Sequence, residues 1–191
     1  QVAHNVLEEL KEKYPDRKIY DVDSLAGSLG QGLLVHYAVN KKNEGAPIEE
    51  LYDWLMDNRL KLCHWFTVDD LFYLKRGGRV SGAAAVMGTV LSIKPVMHVD
   101  DNGKLIPKAK VIGRKRSIEA MVDKMKETAI DPAEQTVFIS HGDCLEDAEY
   151  LANLVKTELD VKDIFIHYIE PLIGCHSGPG TLALFFMGTH R

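Results

Sequence analysis

The sequence has only three cysteines in 191 residues, Cys63, Cys144 and Cys175. Their wide spacings form no disulfide framework, which points to a reducing, cytoplasmic setting. It has no run of 18 apolar residues, so it offers no membrane-spanning helix, though transient membrane contact stays open, and no secretory pattern precedes the first helical stretch. An excess of positive charge is also missing. With 23 Lys and Arg against 28 Asp and Glu, the net charge is −5, and a chain without a basic footprint is not expected to bind nucleic acid. Internal repeats and low-complexity segments are absent. No paired metal spacing recurs: His141 with Cys144, and Cys175 with His176, are each half of a zinc pattern without its second half, so no metal is expected.

What is present is 46% hydrophobic residues, enough for one good core or two small ones. Val2, Val6, Leu7, Leu10 and Tyr14 keep a helical apolar face from the first residues, with Pro15 closing it, so the chain is expected to extend upstream. Residues 18–22 read as a strand. Asp23, Ser24 and Ser28 then precede a helix over residues 31–43, where they can cap its start or donate to a ligand. The glycines here have the wrong spacing for a dinucleotide fingerprint. A second helix follows Gly45-Ala46-Pro47, with Ile48, Leu51 and Leu55 as its stripe, and residues 62–68 read as a strand.

The acidic pair Asp69-Asp70 opens a short helix through Leu71 and Leu74 that stops at Gly77-Gly78. Residues 82–91 are mostly small and read as a helix against which another helix or an apolar ligand can lie. Asp101-Asn102-Gly103 between two apolar runs is a β-hairpin signal. An amphipathic helix over residues 114–128 follows, with Lys110, Arg114, Lys115 and Arg116 clustered at its start and expected to face solvent. Residues 137–140 read as a strand and 145–159 as a helix. Residues 164–169 and 182–187 read as buried strands.

Between those last two strands lies Ile173-Gly174-Cys175-His176-Ser177-Gly178-Pro179-Gly180-Thr181. Its glycines and proline suggest a stiff, open turn presenting His176 at a strand end beside the Ser177 and Thr181 hydroxyls. A merely solvated histidine in a tight connection is the bland alternative. Arg79, after paired glycines, can donate two parallel hydrogen bonds to a carboxylate or phosphate, and His176 with a hydroxyl can complete the ring of donors. A surface charge beside a helix stop explains Arg79 equally well.

Three ordered motifs resemble the DegV family of bacterial fatty-acid-binding proteins. They are the run from Phe66 through Lys75-Arg76-Gly77-Gly78-Arg79 to Ser81, the segment Ile93-Lys94-Pro95-Val96-Met97-His98, and the His176 loop. Asp23-Ser24 and Ser28-Leu29-Gly30-Gln31-Gly32 add to the likeness. The resemblance implies an α/β fold of two domains: residues 1–65 as the C-terminal part of a three-layer α/β domain, and 66–191 as a two-layer α/β domain with a mixed sheet. The family's N-terminal hydroxyl-bearing segments have no counterpart here. It implies that a long-chain fatty acid is held between the domains and its carboxylate presented to a separate fatty acid kinase, which makes acyl phosphate for phospholipid synthesis. The chain would then be a lipid-binding carrier, with no cofactor beyond the bound fatty acid. By motif, Arg79 and His176 take the carboxylate side, and Ser177, Thr181, Gly78, Ser28 and Ile93 are the further candidate ligand-binding residues. Two other readings compete. One is a hydrolase or transferase with His176 as general base and Cys175 or Ser177 beside it, which no G-x-S-x-G motif supports. The other is a kinase-docking module working through Arg76 and Lys115.

Overall fold

The computed structural model describes residues 2–81 and 93–191; the small-residue stretch 82–91 lies outside the described residues. Three helices come first: α1 (Val2–Lys13), α2 (Leu29–Asn43) and α3 (Ile48–Asn58). Strand β1 (Leu62–Thr67), the short α4 (Leu71–Arg76), and the hairpin β2 (Ile93–Val99) and β3 (Leu105–Ile112) follow. Then come α5 (Arg114–Thr128), β4 (Thr136–His141), α6 (Leu145–Leu159), β5 (Asp163–Tyr168), α7 (Pro171–Ser177) and β6 (Leu182–Met187).

The strands form one six-stranded mixed sheet in the order β3-β2-β1-β6-β4-β5. Only β4 and β5, joined through α6, are parallel; the other neighbours are antiparallel. Both β1 and β6 are buried along their whole length, as expected of central strands covered on both faces. Side chains therefore alternate between two cores. Cys63, Trp65, Leu182, Leu184 and Phe186 pack with α5 and α6 on one face. Leu62, Phe66, Ala183, Phe185 and Met187 pack with Leu33 and Leu34 of α2 on the other. Each fully buried Leu, Met or Phe contributes about 1.5–3 kcal/mol, so this double-sided packing holds the sheet rigid beneath the loops at its edges.

The mixed α/β class is as read from the sequence, and most element bounds agree within two residues. The boundary expected at residues 65 and 66 falls inside β1, every residue of which pairs with β6. Residues 18–22 form no strand, because strand propensity without a neighbouring ladder leaves the backbone extended but unpaired. The β5 run is apolar yet lies at the sheet edge, with Phe165 44% and Tyr168 58% exposed. Arg114 is likewise corrected: its guanidinium is mostly buried, Nε donating to Asp147 at 2.8 Å with Asp69 3.7 Å away. Packing of α5 against α6 brings Asp147 to it, the connection between β1 and α4 brings Asp69, and their charge outweighs the unfavourable helix end.

Candidate functional site

The face of the sheet that α2 covers carries a cavity of about 370 Å³. Phe66 of β1 and Ala183 of β6 form its floor, with Leu74, Val99, Leu105, Ile169 and Ile173 around it. Leu25, Ala26, Gly27 and Ser28, just before α2, also line it. Polar side chains in its lining include Ser28, Ser140, Arg79 and His176, and also Asp23, His64 and Asn102.

The His176 segment corrects the sequence reading. His176 sits in the last turn of α7, and only Gly178, Pro179 and Gly180 form the turn into β6. Glu170-Pro171 was the missed signal, since proline at a first helical position loses no hydrogen bond and has the required φ. The turn still needs its glycine: Gly178 has φ +79 and lies against the Tyr73 ring, which a Cβ would approach to 2.6 Å.

The ends of α4 and α7 meet at His176. A Cβ on Gly77 would lie 2.4 Å from His176 Nδ1, so the ring rests on bare backbone. Gly77 itself has φ −75, which alanine tolerates, so the restriction is space alone. Gly77→Ala is therefore expected to displace the His176 ring and cost about 1–3 kcal/mol by overpacking. Imidazole chemical shifts and urea unfolding check this; an unmoved His176 resonance would remove the contact. Arg79 follows directly, exposed, with Nη1 donating to the Gly77 carbonyl at 2.9 Å.

Five of the seven residues singled out in the sequence line the cavity: Arg79, His176, Ser177, Thr181 and Ser28. Gly78 and Ile93 do not; Gly78 is exposed at the end of α4, and Ile93 pairs with Ile112 in the outer hairpin. The hydroxyls are less available than their composition suggests. Ser177 Oγ donates to the Ile173 carbonyl at 3.1 Å, and Thr181 Oγ1 lies 3.0 Å and 2.8 Å from the Ser177 and Gly178 carbonyls. They tie the turn, leaving lone pairs rather than protons for a ligand. Nor does Ser28 cap α2 by its side chain. Its Oγ reaches Glu170 Oε2 at 3.1 Å and Ser140 Oγ at 3.2 Å, which pins the loop to β4 and to the start of α7.

Sequence reasoning missed His64, Ser140 and Arg191. For His64 the signal was the period-2 alternation Leu62, His64, Phe66, which puts all three on one face. Its ring lies 4.5 Å from Phe185, and burial, with Arg191 and His98 adding, pushes its pKa down to about 3. Arg191 donates to the carbonyls of Ser24, Leu25, Arg59, Leu62 and Asp100 at 2.8–3.3 Å. His141 and Cys144 serve the fold, with the Cys144 N–H donating to His141 Nδ1 at 3.3 Å. Among the described residues, no three His, Cys, Asp or Glu side chains are grouped to hold a metal ion.

The family model described as "Uncharacterised protein, DegV family" matches residues 2–189. The chain belongs to the DegV family. A DegV domain-containing protein of Clostridium perfringens is 52% identical over 181 residues, covering 95% of this chain and 62% of that protein. This DegV chain thus spans about three fifths of the length of such relatives. The crystal structure of a fatty acid binding DegV family protein from Streptococcus agalactiae superposes with a TM-score of 0.79 at 28% identity, over 98% of this chain and 65% of that one. The Streptococcus pneumoniae Fatty Acid Kinase (Fak) B3 protein, loaded with linoleic acid, has the same fold: TM-score 0.88 at 22% identity, over 97% of this chain and 65% of that one. No helix among the described residues is long and apolar enough to cross a membrane.

Proposed function

We propose that this DegV chain is part of a protein that binds a long-chain fatty acid and presents its carboxylate to a separate fatty acid kinase. The observation that carries the reading is the cavity itself, mostly apolar in its lining, with the Arg79 guanidinium and His176 imidazole both in that lining and both against Gly77. Its volume falls in the range of small-molecule sites, roughly 300–1,000 Å³. Each buried methylene contributes about 0.8 kcal/mol, so the tail supplies affinity. The carboxylate is costly to desolvate unless it is paired, so the cationic side decides that an acid rather than an alkane is held.

The S. agalactiae protein's fatty acid binding supports the lipid part of this reading. The kinase part rests on the family resemblance and on the position of Arg79, exposed where a second protein can reach the head group. The chain's role in it is to bind and orient, in the cytoplasm, while phosphoryl transfer belongs to the partner.

The experiment is isothermal titration of delipidated full-length protein with palmitic and oleic acids. Arg79→Ala and His176→Ala are each expected to weaken binding by roughly tenfold to a hundredfold, the cost of losing one hydrogen bond to a charged group, at unchanged thermal stability. Equal affinity in wild type and both variants would remove these side chains from the head-group site.

A further inference from the structure

Besides Arg79, His176 and the hydroxyls, the polar residues lining the cavity are Asp23, Asn102 and His64, and of these three His64 alone is buried. His64 is 7% exposed and lines the cavity, and among the described residues its Nδ1, itself shielded from solvent, has no hydrogen-bond partner. Its surroundings are apolar: Phe185 lies 4.5 Å and Phe66 5.8 Å away, ring to ring. A buried donor or acceptor left unpaired costs free energy that a hydrocarbon side chain at the same place would not. His98, on the neighbouring strand, is no partner for it, since that ring stacks on Trp65 at 4.2 Å on the other face.

Register places His64 relative to the head-group side. Phe66 is opposite Ala183, and Ala183 is opposite Ser140, so these three mark the row beside Ser28. His64 is opposite Phe185, two residues along both strands, a displacement of about 7 Å at strand rise. An acyl chain whose carboxylate lies beside the Ser28 row and whose tail runs along the sheet toward Phe185 thus brings a carbon several bonds away over the His64 ring. The ring is neutral at physiological pH because burial holds its pKa near 3. A neutral imidazole offers one donor and one acceptor, and a hydroxyl is the small group that matches either.

We propose that His64 is a specificity contact for an oxygen substituent on the acyl chain, so that the protein prefers a hydroxy fatty acid of the right position over its saturated parent. This rests on the fatty-acid reading above and sharpens it.

The test is competition binding to delipidated full-length protein, using stearic acid and hydroxystearic acids with the hydroxyl at successive positions. One or two adjacent isomers are expected to bind about tenfold tighter than stearic acid, the effect of one satisfied hydrogen bond. In His64→Leu that preference is lost while stearic acid binds at least as well as to wild type, and His64→Gln retains part of it. The wild-type His64 imidazole ¹⁵N resonances, independent of any variant's folding, should move with the preferred isomer and stay in place with stearic acid. No isomer exceeding stearic acid, or a preference that survives in His64→Leu, overturns the assignment. If wild type binds no fatty acid at all, the underlying lipid reading fails and this one with it.

Discussion

Lowering the pH from 7.5 to 5 is expected to remove about 3 kcal/mol of stability through two histidines on the neighbouring strands β1 and β2. Burial is the first cause in both, pushing His64 down to about 3 and His98 to about 4. Nearby cations add to it, Arg191 at His64 and Lys108 at His98. In the unfolded chain each titrates near pH 6.5. Below that value the unfolded state binds protons that the folded state refuses, so stability rises with pH and is lost as pH falls from about 6.5 toward 3–4. One and a half pH units below the unfolded pKa amount to roughly 2 kcal/mol for His64. We allow roughly half that for His98, whose pKa is lowered less, to about 4, with Asp101 acting in the opposite direction. Carboxylates enter only below about pH 4.5. Urea unfolding across this window measures the effect, and His64→Leu should flatten it by more than half. A profile identical in the two proteins would mean that His64 takes up its proton in the folded state.

Arg191→Ala is expected to cost about 3 kcal/mol, from loss of a half-buried cation that satisfies several carbonyls at once. The five acceptors come from three stretches of chain: the Ser24-Leu25 loop, the Arg59 to Leu62 approach to β1, and Asp100 at the β2–β3 turn. Burial depresses the guanidinium's pKa without discharging a group of such high intrinsic value. The loop and the turn both contribute to the cavity, through Leu25, Asn102 and Gly103. Faster hydrogen exchange in residues 24–28 should therefore accompany the lost stability. Arg191→Lys restores one point charge but cannot reach all three stretches, and should recover less than half. Stability within 0.5 kcal/mol of wild type for Arg191→Ala, an allowance for an ordinary surface change, would show that solvent serves these carbonyls equally well.

Periodicity carried most of the fold. The α5 and α6 stripes and the hairpin around Asp101-Asn102-Gly103 lie where 3.6- and 2-residue patterns put them, because each of those segments buries one face against a continuous core. It failed where tertiary context decides. Residues 18–22 and β5 have similar strand character, yet only β5 has a partner, and that on one side alone. Glycines at 174, 178 and 180 suggested an open loop, but the one at 174 sits inside α7 and only the latter two are needed to turn the chain.

The site was legible in part for the same reason. Arg79 and His176 are far apart in sequence, and their separate loops look alike as anion sites; both contact Gly77, whose missing side chain lets the His176 ring approach. Ser177 and Thr181 announced hydroxyls but not where their protons point, which only the turn geometry fixes. His64 was hidden inside an apolar strand. Nothing in its immediate neighbours says that one nitrogen has no partner among the described residues, because that depends on which side chains the α2 face gathers around it.

The most direct measurement is organic extraction of the freshly purified full-length protein followed by mass spectrometry of whatever it carries. The account predicts long-chain fatty acid in near-stoichiometric amount in wild type, and a markedly smaller amount when Arg79 and His176 are both alanine. Protein that carries no acyl lipid, and takes none up after delipidation while remaining folded, would contradict it.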